Sequence, residues 1–314
     1  MAAKIFVSLL LVLSDVANSA PIGAEPNVST SVTPPAGFTK VLFEDDFSTQ
    51  VAGSLPSASK WTIDTGIGYP GGPSHWGTNE VQTYTNSPTN VAITANGTLR
   101  ITPIVGRDGR WTSARIETTA ANDFACAAGA RLRMEASVRL GNAPASSQMG
   151  IWPAFWSLGS AYRGNYQNWP SVGEIDILES LNGAPTAWQT VHCGVASGGP
   201  CRETTGIGST ATLSRGEWHT VAVEIDRTNA GGDWSKETMT WLIDDRKVYS
   251  VSGATIGDQG AWVNVARSPK FLLLNVAIGG SFPDAIAKVK TPTSQTVGGA
   301  DSAMDVKYVA VFST

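Results

Sequence analysis

The chain has 314 residues, enough for one large all-β domain or two ordinary ones and for a substantial buried core. Only 15% of the residues are charged, the formal net charge is -4, and 33 glycines and 11 tryptophans stand out. Few charges, many turn-formers and many aromatics suit a secreted β-protein. The lack of a basic block argues against a nucleic-acid partner, because phosphate binding needs a positive face.

At the N-terminus Lys4 precedes an apolar run over residues 5–13 that is too short to span a bilayer. Small residues Ala17 and Ser19 follow, so residues 1–19 read as a secretion signal cut near Ser19 or Ala20. No later stretch is long and apolar enough to span a membrane, and a membrane partner is not expected. Residues 20–38 are rich in Pro, Ser and Thr without a periodic pattern and read as a linker. Asn27 and Asn96 each head an N-x-S/T glycosylation acceptor. Asn96-Gly97 also lies between two strand-like runs, a hairpin signal in its own right.

From residue 39 to 314 the chain reads as one domain of short β-runs, without an internal repeat or linker. The runs fall at 91–94, 99–104, 130–140, 174–178, 220–226, 238–244, 270–277 and 306–312. Alternation is clear from Arg131 to Val138 and from Thr220 to Ile225, the period of half-buried strands. Helical periodicity is absent, so the expected fold is all-β, a sandwich of two antiparallel sheets. Three cysteines allow three pairings. The short flexible loop between Cys193 and Cys201 favours that disulfide and leaves Cys126 as a buried thiol. Neither the cysteines nor the three histidines have zinc-site spacing.

The chemistry concentrates in Trp169-Pro170-Ser171-Val172-Gly173-Glu174-Ile175-Asp176-Ile177-Leu178-Glu179. On a strand Glu174 and Asp176 share a face, while Ile175 and Ile177 point to the core. In regular register Glu179 would also point into the core, where an unpaired carboxylate is costly. A β-bulge around Ile177-Leu178 returns it to the face of the other two acids. Two carboxyl groups, one ionised and one protonated, are what glycoside hydrolysis requires. In that reading Glu174 attacks the anomeric carbon, Glu179 is acid and then base, and Asp176 holds the local charge that keeps Glu179 protonated. A solvated strand face also spaces acids this way, and spacing alone does not decide. Glu224-Ile225-Asp226 repeats the opening of the motif without a third acid or a preceding Trp-Pro, and reads as an ordinary strand edge.

The Glu174–Glu179 run resembles the signature of glycoside hydrolase family 16 in its bulged, laminarinase-like form. Three further segments resemble the family: Gly150-Ile151-Trp152-Pro153-Ala154-Phe155-Trp156-Ser157-Leu158-Gly159, Asn79-Glu80-Val81-Gln82-Thr83-Tyr84 and Leu274-Asn275-Val276-Ala277-Ile278-Gly279-Gly280. The closing Met304-Asp305-Val306-Lys307-Tyr308-Val309 does so too. The resemblance implies a concanavalin A-like jelly roll and retaining endo-hydrolysis of β-1,3- or mixed β-1,3-1,4-glucan. The implied enzyme is a monomer, extracellular or in the cell wall. Glu174, Asp176 and Glu179 receive from it the roles already reasoned. It implies sugar stacking by Trp169, with Trp156 a second candidate, and a His192 that faces the carboxylates; a merely packed His192 stays open, and for Trp152 core packing is expected. It admits a structural Ca2+ at Asp305, with no cofactor needed for catalysis. The sequence departs from the family where Ser281-Phe282-Pro283 replaces a tryptophan, so Phe282 becomes a candidate stacking ring. Residues 162–168 and 229–236 look like insertions that reshape the cleft rim. A cell-wall transglycosylase using the same carboxylates, or a non-catalytic β-glucan-binding protein, are the alternatives.

Overall fold

The computed structural model describes residues 32–228 and 230–314. The expected signal over 1–19, most of the 20–38 linker, and Asn27 therefore lie outside the described residues. Two antiparallel sheets are stacked face to face. One is seven-stranded, in the order Ile207–Thr212, Thr186–His192, Glu174–Glu179, Ile151–Gly159, Lys270–Ile278, Arg115–Thr118, Trp61–Asp64. The other runs Arg246–Ser252, Thr238–Ile243, Trp218–Asp226, Arg131–Leu140, Met304–Ser313, Leu99–Ile101, Val91–Ile93, with Lys40–Asp45 also paired to Met304–Ser313. Each expected run is occupied by a strand, and the jelly-roll sandwich expected from the sequence is the fold.

The core between the sheets follows from the two-residue period. Leu132, Met134, Ala136 and Val138 enter it from one sheet, and Ile175, Ile177 and Leu178 from the other. The opposite face of the Arg131–Leu140 strand departs from the half-exposed pattern expected. Arg133 and Glu135 are buried there too, because Arg133 pairs with Glu135, Glu224 and Asp245 in one ionic ladder. Glu224 is thus a structural ion-pair partner. Its strand lies between Arg131–Leu140 and Thr238–Ile243, inside the sheet and not at an edge. Asn96-Gly97 closes the Val91–Ile93/Leu99–Ile101 hairpin as expected, with Gly97 at φ 68 and Asn96 exposed.

Cys193 and Cys201 are bonded, with Cα atoms 5.3 Å apart, and Cys126 is buried and free. The Asp305 expectation needs correction. Its buried carboxylate takes Arg100 Nε at 2.6 Å and Nη2 at 3.0 Å, and Arg139 Nη2 at 2.8 Å. Two guanidinium groups already hold both of its oxygens, so this side chain does not fit a calcium ion.

Candidate active site

The strand that carries the three acids breaks register once on each side. Against Ile151–Gly159, Leu178 faces Phe155 while Asp176 faces Trp156, which leaves Ile177 as the extra residue. Against Thr186–His192, Asp176 faces Thr190 and Glu179 faces Trp188. Ile177 is in the core with Ile175, and the bulge turns Glu179 to the same side as Glu174 and Asp176. All three acids line one cavity, where Asp176 is 4% and Glu179 7% exposed. Gly173 sets the entry to the strand. It sits at φ 78, and a Cβ there would come within 2.6 Å of the Val265 backbone.

Each carboxyl has a distinct partner. Trp169 Nε1 donates to Glu174 Oε2 at 3.2 Å, and Trp152 Nε1 donates to Glu179 Oε1 at 2.9 Å. Trp152 therefore does more than pack: its body rests on Leu181 and Ala277 while its N–H serves the acid. Asp176 makes no hydrogen bond to Glu174; its Oδ2 lies 3.4 Å from His192 Nε2. His192 does face the carboxylates, and single ligand atoms of Glu174, Asp176 and His192 fall within 4.8 Å of one another. Ion pairing accounts for that grouping without a metal.

Burial drives the electrostatics. It pushes Glu179 up to about 7, opposed by His192 and the Trp152 hydrogen bond. Burial also raises Glu174, again against His192. Asp176 is raised well above the usual carboxylate range by burial and by its two glutamate neighbours. For His192 burial opposes the cation. The Glu203 hydrogen bond and the charges of Asp176 and Glu174 outweigh it and push the ring up to about 10.

The cavity walls are largely aromatic. Trp169 and Trp156, both expected, line it with Tyr69, Trp76 and Tyr162. Trp156 Nε1 donates to Asn275 Oδ1 at 2.8 Å. Arg115, absent from the sequence reading, lies 4.8 Å from the Trp156 ring centre and 4.5 Å from that of Trp76, and its Nε donates to Asp64 at 3.1 Å. Glu80, within a quoted motif, is buried beside it and accepts from Thr78, Gln82 and Tyr84. The 162–168 insertion does shape the rim: Tyr166 stacks on Tyr69 with centroids 4.2 Å apart, and Gln167 donates to Gly71. The described residues of the second insertion, 230–236, do not line the cavity; Trp234 packs on the Gly253–Ile256 turn. Phe282 also stays outside the lining, edge-on to Trp152 at 5.8 Å and to Trp188 at 6.1 Å. Half-buried, it packs against the edge of Trp152.

The chain is similar to known proteins. A family model described as "XgeA-like, catalytic GH16 domain" matches residues 140–241. A β-glucanase of Rhodothermus marinus is 30% identical over 264 residues, 77% of each chain. A glucan endo-1,3-β-glucosidase of Cryptopygus antarcticus is 29% identical over 85% of this chain and 89% of that protein. The crystal structure of an endo-1,3-β-glucanase from Streptomyces sioyaensis superposes with a TM-score of 0.83 at 42% identity, covering 90% of this chain and 99% of that one. With the bulged acid strand and its aromatic cavity, these likenesses place the chain in glycoside hydrolase family 16.

Proposed function

We propose that this protein is a secreted, monomeric endo-β-1,3-glucanase that acts with retention on β-1,3- or mixed β-1,3-1,4-glucan. The observation that carries the reading is the bulge at Ile177, which delivers Glu174, Asp176 and Glu179 to one aromatic-lined cavity. Aromatic faces suit the apolar faces of pyranose rings and bind a neutral sugar without charge. The names of the relatives, endo-1,3-β-glucanase and β-glucanase, supply the substrate class.

In this mechanism Glu174 is the nucleophile. Its carboxylate attacks the anomeric carbon as the glycosidic C–O bond breaks, and Glu179 gives its proton to the leaving oxygen. With a pKa near 7, Glu179 retains that proton in mildly acidic solution. It then takes a proton from the water that attacks the glycosyl-enzyme, releasing the sugar with its original anomeric configuration. Asp176, raised well above the usual carboxylate range by burial and by its two glutamate neighbours, faces the His192 ring, whose positive charge offsets the crowding of the acids. The steps run through carboxyl groups and need no metal. The apolar run over residues 5–13, followed by small residues, has the pattern of a secretion signal and supports secretion.

The test is a reducing-end and product assay on laminarin, lichenan, agarose and xyloglucan, with wild type and Glu174→Gln in parallel. Laminarin or lichenan cleavage that disappears in the variant supports the assignment. A fully active Glu174→Gln protein refutes it, and wild-type binding without turnover turns the reading towards a glucan-binding protein. Proton NMR of the first product decides stereochemistry: an initial β-anomer means retention.

A further inference from the structure

The acid strand has a second layer of support outside the cavity walls. The Cys193–Cys201 disulfide closes a loop directly after the strand that ends at His192, and Glu203 follows that loop. Glu203 accepts the ring Nδ1–H of His192 at 2.8 Å with one oxygen and the backbone N–H of Cys193 at 2.9 Å with the other. Its side chain is wholly shielded from solvent. Both oxygens are thus committed to one end of the Thr186–His192 strand. The ring itself is boxed in. A Cβ on Gly206 would come within 2.8 Å of its Cε1, and the Trp169 ring lies 5.6 Å away on centroids. The remaining nitrogen, Nε2, is left 3.4 Å from Asp176 Oδ2.

We propose that Glu203 is a positioning residue for the reaction: it fixes the His192 ring with Nε2–H towards Asp176, and the Cys193–Cys201 disulfide holds Glu203 in place. The inference rests on Glu174 and Glu179 being the working carboxyls. The charged groups around the ring are Glu174, Asp176 and Glu179 from the acid strand and Glu203 from the loop. Glu203 is the first of the groups that favour the cation, and the cation in turn holds Glu174 and Glu179 down against their burial. A carboxylate behind a histidine sets ring orientation and charge in the same way in hydrolytic triads.

Glu203→Gln keeps the size and the possibility of a hydrogen bond but removes the charge. His192 then becomes neutral near neutral pH, and Glu179 loses the cation that opposed its burial. The basic limb of kcat/KM therefore moves to higher pH. Glu174 loses the same cation but is also relieved of repulsion from Glu203, so the acidic limb moves less. The experiment pairs the pH profile on laminarin with an NMR titration of the His192 ring, in wild type and Glu203→Gln, the resonance being assigned with His192→Gln. The expected result is a His192 midpoint lowered by about three units, from about 10 to near neutrality, and a basic limb raised by about one unit, a tenfold change in the proton equilibrium. A loss of rate with the midpoint and both limbs unmoved overturns the proposal, since a purely structural role predicts that. A Cys193→Ser/Cys201→Ser double variant lowers the same midpoint if the disulfide holds Glu203; an unmoved midpoint removes the disulfide from the proposal. The ring titration needs no turnover. A wild type inactive on every glucan thus sinks the enzymatic reading while the histidine–glutamate link is judged on its own measurement.

Discussion

Replacing Glu179 by glutamine should make the folded protein more stable at alkaline pH and leave it unchanged in acid. The carboxyl is pushed from its ordinary 4.5 up to about 7, chiefly by burial. A folded-state pKa above the unfolded value means that the folded chain holds this proton more tightly. Ionisation between those two values is therefore penalised in the folded state only. The penalty is absent below the unfolded value, grows between 4.5 and about 7, and is complete above. At about 1.36 kcal/mol per unit, the gap amounts to about 3 kcal/mol. Little is lost to screening, because the residue is only 7% exposed. Glutamine keeps an oxygen for the Trp152 N–H and carries no charge, so it escapes the penalty. For a chain of this size that is a rise of roughly 6–12 °C in unfolding temperature at about pH 8. The assay is urea or thermal unfolding followed by far-UV circular dichroism at about pH 4 and about pH 8. Equal stabilities at the higher pH, or the same gap at both, would refute the claim that buried charge on Glu179 is what strains the site.

Three further outcomes follow from neighbouring contacts. Trp152→Phe removes the one indole N–H bound to Glu179, and a hydrogen bond to the charged form lowers a carboxyl pKa. Its loss should raise the basic limb of the kcat/KM profile by about one unit, since such bonds contribute about 1.5–3 kcal/mol; an unmoved limb in a folded variant counts against the contact. Arg115→Ala strips the buried Asp64 of its guanidinium partner and should cost about 3–5 kcal/mol in urea unfolding near neutral pH, whereas a loss below about 1 kcal/mol would mean that Asp64 is not ionised there. Because Asp305 is saturated by Arg100 and Arg139, EDTA should leave the unfolding temperature where it was, and a clear drop would show a bound cation that Asp305 does not explain.

The legible parts of this molecule are those that depend on neighbours in sequence. Strand period comes from alternation over a few residues, and the Arg131–Leu140 and Trp218–Asp226 strands sit where that alternation places them. The bulge was legible for a sharper reason. Glu179 lies three residues beyond Asp176, an odd step that regular register would turn into the core between the sheets, so the cost of burying it there unpaired predicts a break at Ile177-Leu178. What escaped depends on partners far away along the chain. Arg115 meets Asp64 across 51 positions, and Asp305 meets Arg100 across 205. No local pattern separates a carboxylate that will hold an arginine from one that will hold calcium. Trp152 shows the same limit within one side chain, since its ring predicts burial but its N–H finds Glu179 27 positions on. His192 could be placed near the acids from resemblance, yet its charge state is set by Glu203, an acid in a loop with no periodicity to mark it. The residues that tune this site are therefore its least readable ones, because a proton's affinity is fixed by what surrounds a group in space and by the water it has lost.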